Sequence, residues 1–196
     1  MRVVTALRKA GRDRIAVELD GQPWRVLPLE PVLAAGLDTG VVLDRERARR
    51  LRRELRRTEA VRSGLAVLRY SDHTAETLRR RLAARGVAPA QREAVIETMA
   101  NAGLIDDARF AQGRATTLAA RGAGNQLIRA DLEGRGLPAD LTDEAIALLE
   151  PETDRARRIV AVHGLSAKAL RRLAAKGFSE DVLEELVADG VPAEVP

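Results

Sequence analysis

The chain has 196 residues and no cysteine, which excludes disulfides, thiol catalysis and cysteine-ligated zinc. Hydrophobic residues make up 45% of it but aromatic residues only 2% (Trp24, Tyr70, Phe110 and Phe178), so alanine and leucine must fill the core, which favours closely packed helices. The net charge of +4 is unevenly laid out: residues 1–57 sum to +6 and residues 58–102 to +2, whereas 103–150 sum to −3 and 151–196 to −1. That polarity suits an anionic partner meeting the N-terminal half. No apolar run precedes a small-residue cleavage site and no stretch approaches membrane-spanning length, so a cytoplasmic chain with no membrane contact is expected.

From the N-terminus, Val3–Leu7 and Arg14–Leu19 read as strands, the second with Ile15, Val17 and Leu19 alternating with other residues. Asp20-Gly21 is a type I′ turn signal, and Trp24 and Val26 alternate on the returning strand. Pro31 to Ala35 makes a short helical turn ended by Gly36, and Val41 to Leu43 adds a further short strand. Residues 1–44 are therefore expected to form a small β-hairpin element. Asp44 is a candidate N-cap for a long helix reaching about Tyr70, in which Ala48, Leu51, Leu55, Thr58, Val61, Leu65 and Leu68 recur at helical spacing. Its first part, 45–57, is a basic linker helix.

Beyond it, one pattern occurs three times: an apolar helix ending in Leu-x-x-x-Gly-apolar, followed by a second apolar helix. The copies end at Leu82–Gly86–Val87, Leu132–Gly136–Leu137 and Leu173–Gly177–Phe178. Glycine favours the left-handed position that closes a helix, and Gly103, Gly122, Gly164 and Gly190 also follow apolar-periodic segments. Pro89, Pro138 and Pro151 suit helix first turns, and Ser166 and Ser179 are candidate N-caps. The pattern predicts three tandem three-helix repeats over 58–103, 104–150 and 151–196. Apolar pairs nine and ten residues past each key glycine (Val95-Ile96, Ala145-Ile146 and Leu186-Val187) close each small core. Modules this small stack to bury a continuous core, which predicts an elongated, curved, mainly α body. A polar last helix (Glu180, Asp181, Glu184, Glu185 and Asp189) points to a capped monomer.

The most specific string is Gly103-Leu104-Ile105-Asp106-Asp107-Ala108-Arg109-Phe110-Ala111. Gly103 ends a helix, Leu104 and Ile105 plug the gap between repeats, Asp106 caps the next helix and Asp107 favours its dipole. Adjacent aspartates at a helix start diverge, so capping accounts for them better than a metal does. His73 and His163 have no second ligand or catalytic companions, and no glycine loop with a lysine cradles phosphate. No catalytic, cofactor or metal residue is assigned, and an enzyme is not expected. The candidate partner-binding residues are the arginines Arg49, Arg52, Arg53, Arg56 and Arg57 on the linker helix, with Arg79, Arg80, Arg81 and Arg85 on the first repeat's middle helix. A solvated face explains any one of them, while the two clusters together make a basic surface. Trp24 and Tyr70 read as core residues rather than base-stacking platforms.

The signature string resembles the RecX family, the regulators of the RecA recombinase. The likeness extends along the chain through Ile15–Gly21, Gly36-Leu37, Gly40, Leu43-Asp44, Tyr70-Ser71, Thr74, Leu78, Leu82, Gly86, Gly124, Ile128, Leu132 and Gly136. Asn125-Gln126-Leu127 stand where the family's second repeat has basic residues, and Ala169 is smaller than usual in the third. The resemblance implies tandem three-helix repeats and binding to the RecA–DNA filament, with inhibition of its ATPase, strand-exchange and co-protease activities in DNA repair and the SOS response. It also implies a molecule lying along the filament groove or blocking the growing end. A DNA-binding helical repeat protein acting without RecA is the alternative that the arginines alone allow.

Overall fold

The structure is a computed structural model and describes residues 2–69 and 73–190. Tyr70 and Ser71 lie outside the described residues. The chain divides into two compact units, one of residues 1–69 and 81–98, the other of 70–80 and 99–196. The unit boundaries fall inside the segment 58–103.

In the first unit, β1 (Arg2–Lys9), β2 (Arg14–Leu19), β3 (Gln22–Pro28) and β4 (Val42–Leu43) form an antiparallel sheet in the order β3-β2-β1-β4. The hairpin of the sequence reading thus becomes a four-stranded sheet, because the segment after α1 (Leu29–Ala34) returns to pair with the free edge of β1. Asp20 and Gly21 both take positive φ, 51° and 77°, as a type I′ turn requires. A bulge in β1 between Val4 and Ala6 leaves the Val3 amide to donate to the Asp20 carboxylate at 2.8 Å. Val4, Val17, Leu19, Leu27, Val32, Ala35 and Leu37 make the core, with Leu51 from the long helix α2 (Arg45–Leu68). Trp24 is half-buried against this core.

Asp44 caps α2 by accepting the Arg47 amide at 2.8 Å. The apolar spacing along α2 does not mark one continuous buried stripe. Leu51 is buried in the first half, but the buried residues of the second half are Ala60, Gly64 and Val67, nearly opposite on the helix, and Leu65 is exposed. The first half covers the sheet core, whereas Ala60 and Ser63 border segment 85–91, where Arg85 donates to the Ser63 carbonyl at 2.9 Å. Small residues on that side permit the close approach. The helices α3 (Ala75–Ala84) and α4 (Pro89–Asn101) each pass from one unit to the other.

The second unit contains α5 (Asp107–Ala120), α6 (Asn125–Gly134), α7 (Ala139–Ala147), α8 (Glu152–His163), α9 (Ala167–Ala175) and α10 (Glu180–Gly190). One core joins Ala111, Ala115, Ala123, Ile128, Leu132, Leu137 and Ala145; another joins Ala156, Leu173, Phe178, Val182 and Leu186. The recurring Leu-x-x-x-Gly-apolar string is a Schellman ending at each occurrence. Val87, Leu137 and Phe178 donate back to the carbonyls of Leu82, Leu132 and Leu173 at 3.1, 3.3 and 3.2 Å, and the intervening glycines have φ of +76°, +79° and +81°. Ser166 caps α9, accepting the Ala169 amide at 3.2 Å, whereas the Ser179 hydroxyl donates to Glu152. Ile105 is buried as expected of a plug, but Leu104 is exposed, because the turn after Gly103 points it outward.

The middle helices are joined to the repeat that follows them through their N-termini. Asp107, the first residue of α5, accepts the Ala75 amide that opens α3 at 2.9 Å, and the Thr74 hydroxyl donates to the Arg135 carbonyl at 2.7 Å. One repeat later Glu152, the first residue of α8, accepts the Asn125 amide that opens α6, and Gly124 and Gln126 donate to the carbonyls of Lys176 and Gly177 at 2.8 and 3.0 Å. Gly124 has an ordinary φ of −81°, yet a Cβ there would run into the backbone of Gly177 and Phe178. Gly124→Ala is therefore expected to destabilise the protein by about 1–3 kcal/mol through overpacking at this joint. Gly113→Ala, in mid-α5 with open space around it, is expected to stabilise by about 1 kcal/mol through helix propensity. Urea denaturation of the two variants checks the opposite signs.

Candidate functional site

The five candidate arginines of the linker helix, Arg49, Arg52, Arg53, Arg56 and Arg57, are exposed on α2. Arg49, Arg52, Arg53 and Arg56 follow the i, i+3, i+4, i+7 rule and share one face, spanning about 10 Å of helix axis. Among the described residues none of them has a carboxylate partner; Arg52 only folds back onto the Ala48 carbonyl at 3.2 Å. Arg56 borders a groove of about 350 Å³ with Glu59, Ser63, Arg85 and Gln91, so the fold brings together two arginines 29 positions apart. Arg57 is turned away from this face. It lines a larger groove, about 740 Å³, with Leu29, Leu33, Val61, Arg62 and Leu65.

The second cluster does not act as one group. Arg81 and Arg85 belong to the first unit and are exposed. Arg79 and Arg80 belong to the second, and both bind Glu76, Arg80 at 2.8 Å. Hydrogen bonds from Arg79 and then Arg80 hold the Glu76 carboxyl below its ordinary range. Arg80 also reaches the Gly134 carbonyl at 3.5 Å, and a Cβ at Gly136 would overlap the Glu76 side chain. These two arginines are thus committed to packing α3 on the turn after α6. Sequence reasoning grouped them with Arg81 and Arg85 because helical adjacency is visible in a sequence and the opposing turn is not.

In the second unit, Asp106 accepts the Arg109 amide at 2.9 Å and caps α5. Asp106, Arg109 and Phe110 line a groove of about 420 Å³ with His73, Leu104 and Arg114. Behind it, Asp131 receives Arg114 at 2.8 and 2.9 Å and Arg135 at 2.8 Å, and Arg135 lies over the Phe110 ring. Arg155 is buried and donates to the carbonyls of Ala123 and Glu150 and to Asn125; burial holds its pKa below the ordinary value. Among the described residues no three His, Asp or Glu side chains are grouped to hold a metal, and no helix is long and apolar enough to cross a membrane. Sequence reasoning missed α9, where Lys168, Arg171 and Arg172 on the helix and Lys176 at its C-cap are all exposed and no acid lies on the helix. The segment sum of −1 concealed it; the run of cations within one helix was the available signal.

Residues 106–146 match the family model described as RecX, second three-helix domain. Regulatory protein RecX of Xanthomonas axonopodis pv. citri is 30% identical over 118 residues, covering 60% of this chain and 73% of that protein. The chain belongs to the RecX family. Regulatory protein RecX of Xanthomonas campestris pv. campestris strain B100 is 35% identical over 98 residues; that match covers 50% of this chain and 60% of the relative's length. A crystal structure of regulatory protein RecX superposes with a TM-score of 0.81 at 18% identity, covering 96% of this chain and all of that one. RecX from Lactobacillus salivarius superposes with a TM-score of 0.60 at 18% identity over 68% of this chain and 96% of the other. The fold is therefore the RecX fold, mainly helical with small N-terminal antiparallel strands.

Within this RecX-family fold the Arg114–Asp131–Arg135 cluster gives a pH signature. Hydrogen bonds from Arg114, then Arg135, hold the Asp131 carboxyl well below its ordinary 3.8 in the folded state. A depressed folded pKa contributes stability above the unfolded value and loses it as pH falls through the folded one. Wild-type stability is expected to fall as pH drops below about 4. Asp131→Asn should be less stable at neutral pH and show a shallower loss in that acid window, measured by urea denaturation at a series of pH values.

Proposed function

We propose that this chain is a non-enzymatic cytoplasmic regulator that binds the RecA–DNA filament and restrains it, lowering ATP hydrolysis, strand exchange and co-protease activity in DNA repair and the SOS response. Family membership supports the regulatory role. The observation that carries the contact is the arginine face of α2, where Arg49, Arg52, Arg53 and Arg56 stand exposed and, among the described residues, pair with no carboxylate. Arginine presents a planar fork suited to carboxylate and phosphate alike, so this face can meet either acidic side chains of the filament or its DNA. Arg81 and Arg85 add to the same role in the first unit; Arg79 and Arg80 serve it less, because Glu76 already engages them.

A second reading, a DNA-binding helical repeat protein acting without RecA, draws on the same unneutralised arginines. It calls for tight binding to DNA alone with a steep salt dependence, since each neutralised phosphate releases counterions. At substoichiometric amounts the purified protein is expected to slow single-stranded-DNA-dependent ATP hydrolysis by RecA; no effect at equimolar protein overturns the proposal. Charge reversal of Arg52, Arg53, Arg56 and Arg57 separates the two readings. Loss of DNA binding with RecA inhibition intact assigns these arginines to DNA, and loss of inhibition with DNA binding intact assigns them to the filament protein.

A further inference from the structure

We propose that the corner where α8 ends and α9 begins docks a polypeptide segment that presents apolar side chains flanked by carboxylates. This rests on the filament-binding reading for the identity of the partner and adds a second contact to it. The corner is a groove of about 240 Å³ floored by Ile159, Ala169 and Leu173 and walled by His163, Lys168 and Arg172. Next in sequence to the lining residues His163 and Ser166, Val162 is 75% exposed and Leu165 39% exposed, which adds apolar side chains to this part of the surface.

The two charged side chains that line the groove, Lys168 and Arg172, are of one sign. Arg171 and, at the far C-cap, Lys176 continue the same side of α9 beyond the groove, and among the described residues no ion pair engages any of the four cations. Of the acids on the helices packed against α9, Asp154 of α8 pairs with Arg157, which also holds Glu185 and Asp189 of α10, and the exposed Glu180, Asp181 and Glu184 of α10 do not line the groove. An apolar floor bordered by the cations Lys168 and Arg172 is complementary to an apolar ridge flanked by carboxylates. Nucleic acid fits less well. A phosphate backbone gains nothing from Val162 and Leu165, and the third repeat's one aromatic residue, Phe178, is buried in the core and offers no face for a base to stack on.

The test is co-sedimentation of the full-length chain with RecA assembled on oligo-dT, alongside binding to oligo-dT alone by fluorescence anisotropy. Lys168→Glu/Arg172→Glu is expected to weaken filament binding about tenfold by placing like charges against the partner's carboxylates. Val162→Ser should weaken it a few-fold, and neither variant should change oligo-dT binding. The substituted residues are exposed; unchanged melting temperatures, or the same result with the milder Lys168→Gln/Arg172→Gln, separate a docking defect from misfolding. Wild-type affinity in all the variants overturns this inference and leaves the filament-binding reading standing. A parallel loss of oligo-dT binding assigns the corner to nucleic acid, and a lower sedimentation coefficient for the isolated double variant assigns it to a second copy; either overturns it. Absence of wild-type binding to the filament overturns the functional reading and this assignment with it.

Discussion

The second unit depends on how each middle helix disposes of its first amide groups. A helix leaves its opening N–H groups without internal partners, and burying them unmet costs about 1–3 kcal/mol each. Here the next repeat supplies the acceptors: a carboxylate from the first residue of its first helix, and carbonyls from the turn that ends its middle helix. The Schellman turn is what frees those carbonyls. Its left-handed glycine reverses the backbone, so that the oxygens of Arg135, Lys176 and Gly177 face out of their own helix and into the helix before it. The joint explains both the repeat's regularity and its exceptions. Thr74 can use its hydroxyl at the first joint, while the second joint closes so tightly that only glycine fits at 124. At the third middle helix Ser166 caps the helix it opens by accepting the Ala169 amide.

Much of this architecture was legible because the signals are local. The spacing from leucine to glycine encodes a helix end within six residues, and Asp44 and Asp106 cap within four. Signals that act across repeats were not legible in the same way. Asp107 looks like a residue that favours its own helix dipole, yet its carboxylate serves a helix 32 positions earlier, and Glu152 serves one 27 positions earlier. Helical periodicity likewise suggested one buried side for α2. The helix instead serves the sheet with leucines and the 85–91 segment with Ala60 and Ser63, and no periodic rule foresees which neighbour a given half will meet.

The candidate site was legible only as a list of cations. Composition located Arg49, Arg52, Arg53 and Arg56, and helical geometry grouped them, because both need only one helix. It could not detect that Glu76 engages Arg79 and Arg80, or that Arg85 comes to rest beside Arg56. Those relations are tertiary.

Net charge by segment misleads for the same reason. The segments 103–150 and 151–196 sum to negative values, which directs attention to the N-terminal half. Yet their acids are largely consumed inside the unit: Asp107 and Glu152 by helix amides, Asp131 by two arginines, Glu150 by Arg158, and Glu185 and Asp189 by Arg157. A carboxylate that accepts a backbone amide or a fixed guanidinium contributes little field to a distant solvent face, because its partner's charge or dipole offsets it at close range. What a partner meets is the residue of this pairing. Along α9 and its C-cap that residue is four exposed cations, two of which line an apolar groove, in a segment whose sum is −1. The scaffold therefore shapes the electrostatic surface by choosing which charges it spends on holding its repeats together.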